Sequence, residues 1–287
     1  MIKDKLLPYR RRIGSLILRV LLILSAVITV AVLVFLIGYI LIKGIPHLTP
    51  SLFAWKYTSE NASLTPALIN TLIITALSLV VALPFGVGSA IYLVEYAKKG
   101  NKFVEVVRIM SETLTGIPSI IYGLFGMLFF VYACGMKLSI LSGTLTLAIM
   151  VLPVVMRTTE EALLAVPDAY REASFGLGAG KLRTITKVVL PPAMPGILSG
   201  VILSIGRIVG ETAALIYTAG SVADIASGLF SSGRTLAVHM YVLSSEGLHT
   251  DQAYATAVVL LVIVFVINAI SSFVAKKLGG DGEEEPK

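Results

Sequence analysis

The chain has 287 residues, of which 56 % are hydrophobic and only 14 % charged, with a mean hydropathy of +0.90. So little polar surface cannot cover a water-soluble globule, which leaves an integral membrane protein. The formal net charge of +6 would suit nucleic-acid binding only if the cations shared one folded face, and their spread along the chain reads instead as a topology signal.

Six apolar runs, at about 20–42, 66–94, 113–133, 138–156, 194–218 and 254–275, each approach the ~20 residues a spanning helix requires. Backbone in lipid must satisfy its own hydrogen bonds, so the expected fold class is all-α with six transmembrane helices. Arg10, Arg11 and Arg12 precede the first run as they would in a secretion signal. The apolar core is too long for one, however, and no small-x-small cleavage site follows, so an uncleaved first helix is expected. Lys and Arg alternate in density: six up to Arg19, four in 95–112, five in 157–193 and three in the C-terminal tail, against four in the remaining loops. That imbalance places both termini in the cytoplasm.

Pro84, Pro118 and Pro153 fall inside the second, third and fourth runs, where kinks around a cavity are expected. Gly116, Ser119, Gly123 and Gly126 share one face of the third helix and would admit a neighbouring backbone. Gly135, Met136 and Lys137 make a short outer turn, whereas 157–193 and 219–253 exceed what a tight hairpin needs and are expected to hold structure and function. The single cysteine, Cys134, cannot form an internal disulfide, and His47, His239 and His249 have no metal-ligand spacing.

The fifth run carries Arg207 and Glu211 near its middle. A charge at membrane depth costs at least ~2.5 kcal/mol, so such residues usually serve a solute path. As one continuous helix, the run would put Gly196, Gly200, Leu203, Glu211, Ala214 and Thr218 on the face of Arg207. Gly196 and Gly200 would then touch a partner helix at the cytoplasmic end, and Arg207, Glu211 and Thr218 would line a path. A guanidinium suits a tetrahedral oxyanion because its planar fork donates paired hydrogen bonds, and Glu211 one turn on could neutralise it between ions. A buried ion pair fixing helix register is the competing reading. Arg157, at the cytoplasmic end of the fourth helix, is open to either a snorkelling or a pathway role.

In the cytoplasmic loop, Pro167 and Asp168 mark a helix start, followed by Tyr170, Arg171, Glu172, Ala173 and Ser174, with Gly178 able to turn left-handed. This short helix suits docking in another protein's groove, or lying on the membrane surface. The Gly180-Lys181 pair has Phe175 in place of the first P-loop glycine and Leu182 after the lysine, so the chain cannot itself be an ATPase of that type.

Glu172-Ala173-Ser174, three residues, Gly178, nine residues and Val188-x-Leu190-Pro191 closely resemble the EAA loop of ABC importer permeases, with Ser174 and Val188 as mild departures. The strings 113–123, 206–213 and 232–241 are similar to the phosphate-specific branch, and more to its A subunit than its C subunit. The resemblance covers most of 65–275. It implies a type I ABC importer permease (MetI-like) fold: a basic tail, first helix and external loop over 1–65, a permease core over 66–275 and a disordered tail over 276–287. It further implies a bacterial or archaeal cytoplasmic membrane, a second homologous permease, a cytoplasmic ATPase dimer that binds the ATP and magnesium, and an external binding protein delivering inorganic phosphate. Tyr170, Arg171, Glu172, Ala173, Ser174 and Gly178 would then contact the ATPase, and Arg207, Glu211, Arg157, Thr212 and Thr218 the solute path. A secondary anion transporter or channel, a permease for another oxyanion, and an enzyme acting on phosphorylated lipid are the alternatives.

Overall fold

The computed structural model describes residues 13–98 and 100–278, and every regular element among them is helical. In chain order these are α1 (Ile13–Gly44), α2 (Thr65–Ile91), α3 (Lys102–Thr115), α4 (Ser119–Gly126), α5 (Ile140–Leu164), α6 (Asp168–Gly176), α7 (Lys181–Thr184), α8 (Leu190–Val209), α9 (Ala213–Thr218), α10 (Leu236–Glu246) and α11 (Thr250–Leu278). Wider π-helical turns extend α2 over 92–96 and α4 over 127–133, and join α7 to α8 over 185–189.

Five helical stretches are long and apolar enough to span a membrane, and the sixth expected span is a bent pair. The third run is not one helix. Pro118 cannot continue α3 because it lacks an N–H and restricts the residue before it, so the chain turns by 102° between α3 and α4. Residues 102–112, read as loop, are helical, with Glu105, Arg108 and Glu112 at helical spacing and exposed Phe103, Val106 and Met110 alternating with them. Pro84 and Pro153, by contrast, sit inside helices that remain continuous.

The fifth run departs similarly. Helix α8 ends at Val209, three residues break the helix, and α9 resumes at Ala213, so Arg207 lies in the last turn of α8 and not at mid-helix. The loop expected over 157–193 shrinks correspondingly, since α5 continues to Leu164, α6 starts at Asp168 and α7 at Lys181. At the C-terminus α11 runs through Leu278, three residues into the tail expected to be disordered; the rest of that tail, like Arg10 to Arg12, lies outside the described residues.

Helix α5 is the centre of the bundle, with α2 on one side and α8 on another. Lipid tails are as apolar as a leucine side chain, so contact between spans is set by small residues and shape more than by hydrophobic burial. Gly196 meets Ala162 and Gly200 meets Thr158 so closely that neither has room for a Cβ, which is the tight helix contact expected of that pair. Gly123 lies against the backbone of α9, and Gly126 against Thr146 and Thr218; Gly116 stands outside α4 and does not share their face. Two apolar clusters fill the bundle, one around Ile74, Leu147, Met150, Val151, Ile208 and Leu215, the other around Leu93, Met156, Leu163 and Val189.

The boundary expected at residue 65 runs through packed structure, because Leu52 and Leu64 are buried with Ala67, Leu236 and Ala255. Helix α1 is different. Its side chains are largely exposed, and it reaches α11 where Gly44 abuts Tyr254 and Val258.

A Cβ on Gly123 would lie 2.8 Å from the Cα of Ala214, which is backbone and cannot swing aside. Gly123→Ala should therefore cost about 1–3 kcal/mol and lower the thermal midpoint in detergent. Gly88→Ala, at an open helical position, should leave the midpoint equal or higher.

Candidate functional site

Two broken helices meet at Arg207. Tyr122, in the first turn of α4, donates its hydroxyl to the Leu114 carbonyl at 2.8 Å, joining the Ile117 N–H at 3.2 Å on an acceptor whose i+4 residue, Pro118, has no N–H to give. Its ring is buried, and its hydroxyl lies within electrostatic reach of Arg207. On the other break, Glu211 Oε1 accepts the Ala214 N–H at 3.0 Å and so caps α9. Glu211 is 8 % exposed, and Thr212 is the residue from which α9 starts.

Arg207 itself makes no ion pair and no hydrogen bond among the described residues, and is half-buried. The neutralising role expected of Glu211 is thus not what the structure shows. Breaking the helix at Gly210 removes the one-turn register that would have stacked the two side chains, and the carboxylate turns to an open backbone amide. Thr218 is fully buried, gives its hydroxyl to the Ala214 carbonyl at 2.8 Å and packs on Gly126, so it sits in the α4–α9 contact away from any open surface. The uncompensated cation beside Tyr122 is what remains of the expected polar face.

Arg157 lies in a separate cleft of about 190 Å³ between α3 and α5. Its Nε donates to Glu161 at 3.0 Å and its Nη1 stands 3.8 Å from Glu112, while neighbouring Arg108 pairs with Glu160. This guanidinium already has counter-charges, although it is half open to solvent.

Helix α6 ends as its sequence suggests. Gly178 has φ +79°, the Ala179 N–H bonds the Ser174 carbonyl at 3.1 Å and the Gly178 N–H bonds the Phe175 carbonyl at 2.9 Å, the paired bonds of a Schellman end. Tyr170, Glu172 and Ala173 face outward, joined by Phe175, Leu177 and Leu182 in an exposed apolar patch. Arg171 and Ser174, expected on that docking face, point inward instead. Ser174 Oγ lies 2.8 Å from Thr184 Oγ1 in a buried contact, which gives the departure from alanine a structural reason. Arg171 sends Nε and Nη2 to Glu95 at 3.0 and 2.8 Å, and Nη1 and Nη2 to the Val166 and Leu163 carbonyls at 2.7 and 2.9 Å. One side chain thereby ties α6 to the ends of α2 and α5. Glu95 escaped the sequence reading, although a lone acid at the end of an apolar run, beside basic residues, was a visible signal.

Residues 82–279 match the family described as binding-protein-dependent transport system inner membrane component. The chain belongs to that family. It is thus a multi-pass inner-membrane transport component. Among its relatives, the probable ABC transporter permease protein YqgI of Bacillus subtilis (strain 168) is 34 % identical over 277 residues, 89 % of this chain and 94 % of its own. The phosphate transport system permease protein PstA of Mycobacterium leprae (strain TN) is 33 % identical over 271 residues, covering 90 % and 88 %. The permease fold is shared with a chain of a bacterial alginate ABC transporter, at TM-score 0.65, 16 % identity and 95 % and 100 % coverage. A chain of the inward-facing MetNI methionine ABC transporter superposes at TM-score 0.59, 22 % identity and 74 % and 93 % coverage.

Glu95 and Arg171 are 7 % and 13 % exposed, so removing one partner strands a buried charge. Arg171→Met should destabilise the permease by about 3–5 kcal/mol and open the 165–180 region to protease. Adding Glu95→Gln should recover part of that loss, measured as a double-mutant cycle by denaturant unfolding.

Proposed function

We propose that the chain is the membrane permease subunit of an ATP-driven importer of inorganic phosphate, with Arg207 as the anion contact of its translocation path. The observation that carries this reading is a guanidinium without a counter-ion at the junction of two broken helices. Such a cation attracts an oxyanion with paired, charge-assisted hydrogen bonds, yet a single contact of this kind is weak enough to release its cargo. Relatives named as phosphate permeases, matching nearly the full chain, support phosphate as the cargo.

In this reading an external binding protein delivers phosphate near the 219–253 segment, and a second, homologous permease completes the path and covers part of the apolar surface that lipid does not. Two cytoplasmic ATPase subunits hold the ATP and magnesium, so this subunit is not itself an enzyme and needs no cofactor. Their contact is the outward face of α6, where Tyr170, Glu172 and Ala173 join the exposed Phe175 and Leu177. A push on α6 passes through Arg171 to Glu95 and to the end of α5, the helix against which α8 and Arg207 are packed. Arg157 serves the cytoplasmic exit, where phosphate exchanges with Glu161 and Glu112. Both termini lie in the cytoplasm. A carrier or channel without an ATPase would leave the exposed α6 patch without a task.

The test is reconstitution of the four components in proteoliposomes. Phosphate-loaded binding protein should stimulate ATP hydrolysis, and Arg207→Gln should lower phosphate uptake by about 10- to 100-fold, the loss of one charged hydrogen-bond pair, with assembly unchanged. Undiminished uptake by the assembled variant would remove Arg207 from the path.

A further inference from the structure

A second uncompensated cation is buried on the opposite, external side. Arg234 is only 4 % exposed, and its guanidinium lies over the Tyr57 ring, 4.6 Å from the centroid. Its Nε and Nη2 are both buried without a hydrogen-bond partner, and no carboxylate pairs with it among the described residues. Those two nitrogens form one edge of the guanidinium, the same edge that Arg171 turns on Glu95. In Arg234 that edge meets no hydrogen-bond partner among the described residues.

Its surroundings are also short of partners. Thr235, the residue before α10, has a buried hydroxyl with none. His239, one turn further on, is fully buried, edge-on to Tyr57 with ring centroids 6.1 Å apart. Its Nε2 lies 3.2 Å from the Ala62 carbonyl, which makes Nε2 the protonated nitrogen and leaves Nδ1 unpartnered. Burial, and next the Arg234 cation, push the imidazole down to about 3, so it stays neutral and does not share the charge problem. A cation enclosed in protein with no carboxylate to pair it favours capture of a small anion.

We propose that the free edge of Arg234 is an extracytoplasmic oxyanion site, distinct from Arg207 and walled by Tyr57 and His239. Its existence rests on the geometry around Arg234; its assignment to inorganic phosphate rests on the transport reading. The site is closed in this state. Access requires the 221–235 segment to lift from α2, to which Asn70 ties it by bonds to the Asp224 and Arg234 carbonyls and from the Ala226 N–H. That places the site under a segment facing the side from which phosphate arrives, before Arg207.

The chain has three histidines, so ring-labelled His239 is a resolvable NMR reporter in the full-length protein in lipid nanodiscs. With Arg207→Gln removing the anion contact at the helix junction, inorganic phosphate should shift the His239 resonances saturably, and chloride should do so at least tenfold more weakly. Arg234→Gln in the same background should abolish the shift, and Arg234→Lys, which keeps the charge but loses the fork, should weaken it about tenfold. If Arg234→Gln does not fold, the Lys variant and the phosphate titration itself decide the matter. No shift with phosphate, sulfate or chloride would overturn the site and leave Arg234 merely hydrated. A shift with sulfate and none with phosphate would overturn the phosphate assignment. The transport reading is separable: no phosphate uptake by the reconstituted, unsubstituted complex would sink it while leaving the His239 shift in place.

Discussion

A helix inside lipid can be interrupted only where protein satisfies the backbone groups the interruption frees. The permease meets that constraint twice at one place. Tyr122 takes up the Leu114 carbonyl released by the turn at Pro118, and Glu211 takes up the Ala214 amide released by the stop at Gly210. Each repair is local, and the two breaks lie together because Gly123 has no Cβ to hold α9 away. Arg207 is left without a partner as a consequence: the carboxylate one turn away is committed to a backbone amide.

The arginines divide by what faces them. Arg171, Arg157 and Arg108 have carboxylates. Arg207 and Arg234 have none among the described residues. In a medium of low dielectric that difference outweighs depth or exposure, because an enclosed charge without a counter-charge must find an ion or water, whereas a paired one already has its compensation. The proposed phosphate path follows this division, with the uncompensated cations on the approach and at the junction and a compensated one at the exit.

In the proposed reading, force and cargo use different parts of the same scaffold. Helix α6 presents tyrosine, phenylalanine and leucine outward, while its arginine and serine face in and lock it to α2, α5 and α7. A push on α6, as proposed, would pass into α5, whose contacts with α8 at Gly196 and Gly200 leave no room for a Cβ.

Much of this was legible along the chain. Apolar run length marked the spans, because a bilayer sets the length a helix must have, and the EAA spacing with Gly178 marked α6 and its left-handed end, because a Schellman turn needs a residue without a Cβ at that place. Membrane character followed from composition alone. What one-dimensional periodicity could not reveal was the pair of breaks, since a helical wheel assumes the helix continues, and Gly210 could have been tolerated within one. It could not reveal that Arg171 turns inward either, because its partner Glu95 lies 76 positions earlier in the chain. Thus local sequence determined which segments could be helical and where their ends could turn. Only the packed bundle decided which charges found partners, because compensation of a buried charge depends on what the fold brings within a few ångströms of it.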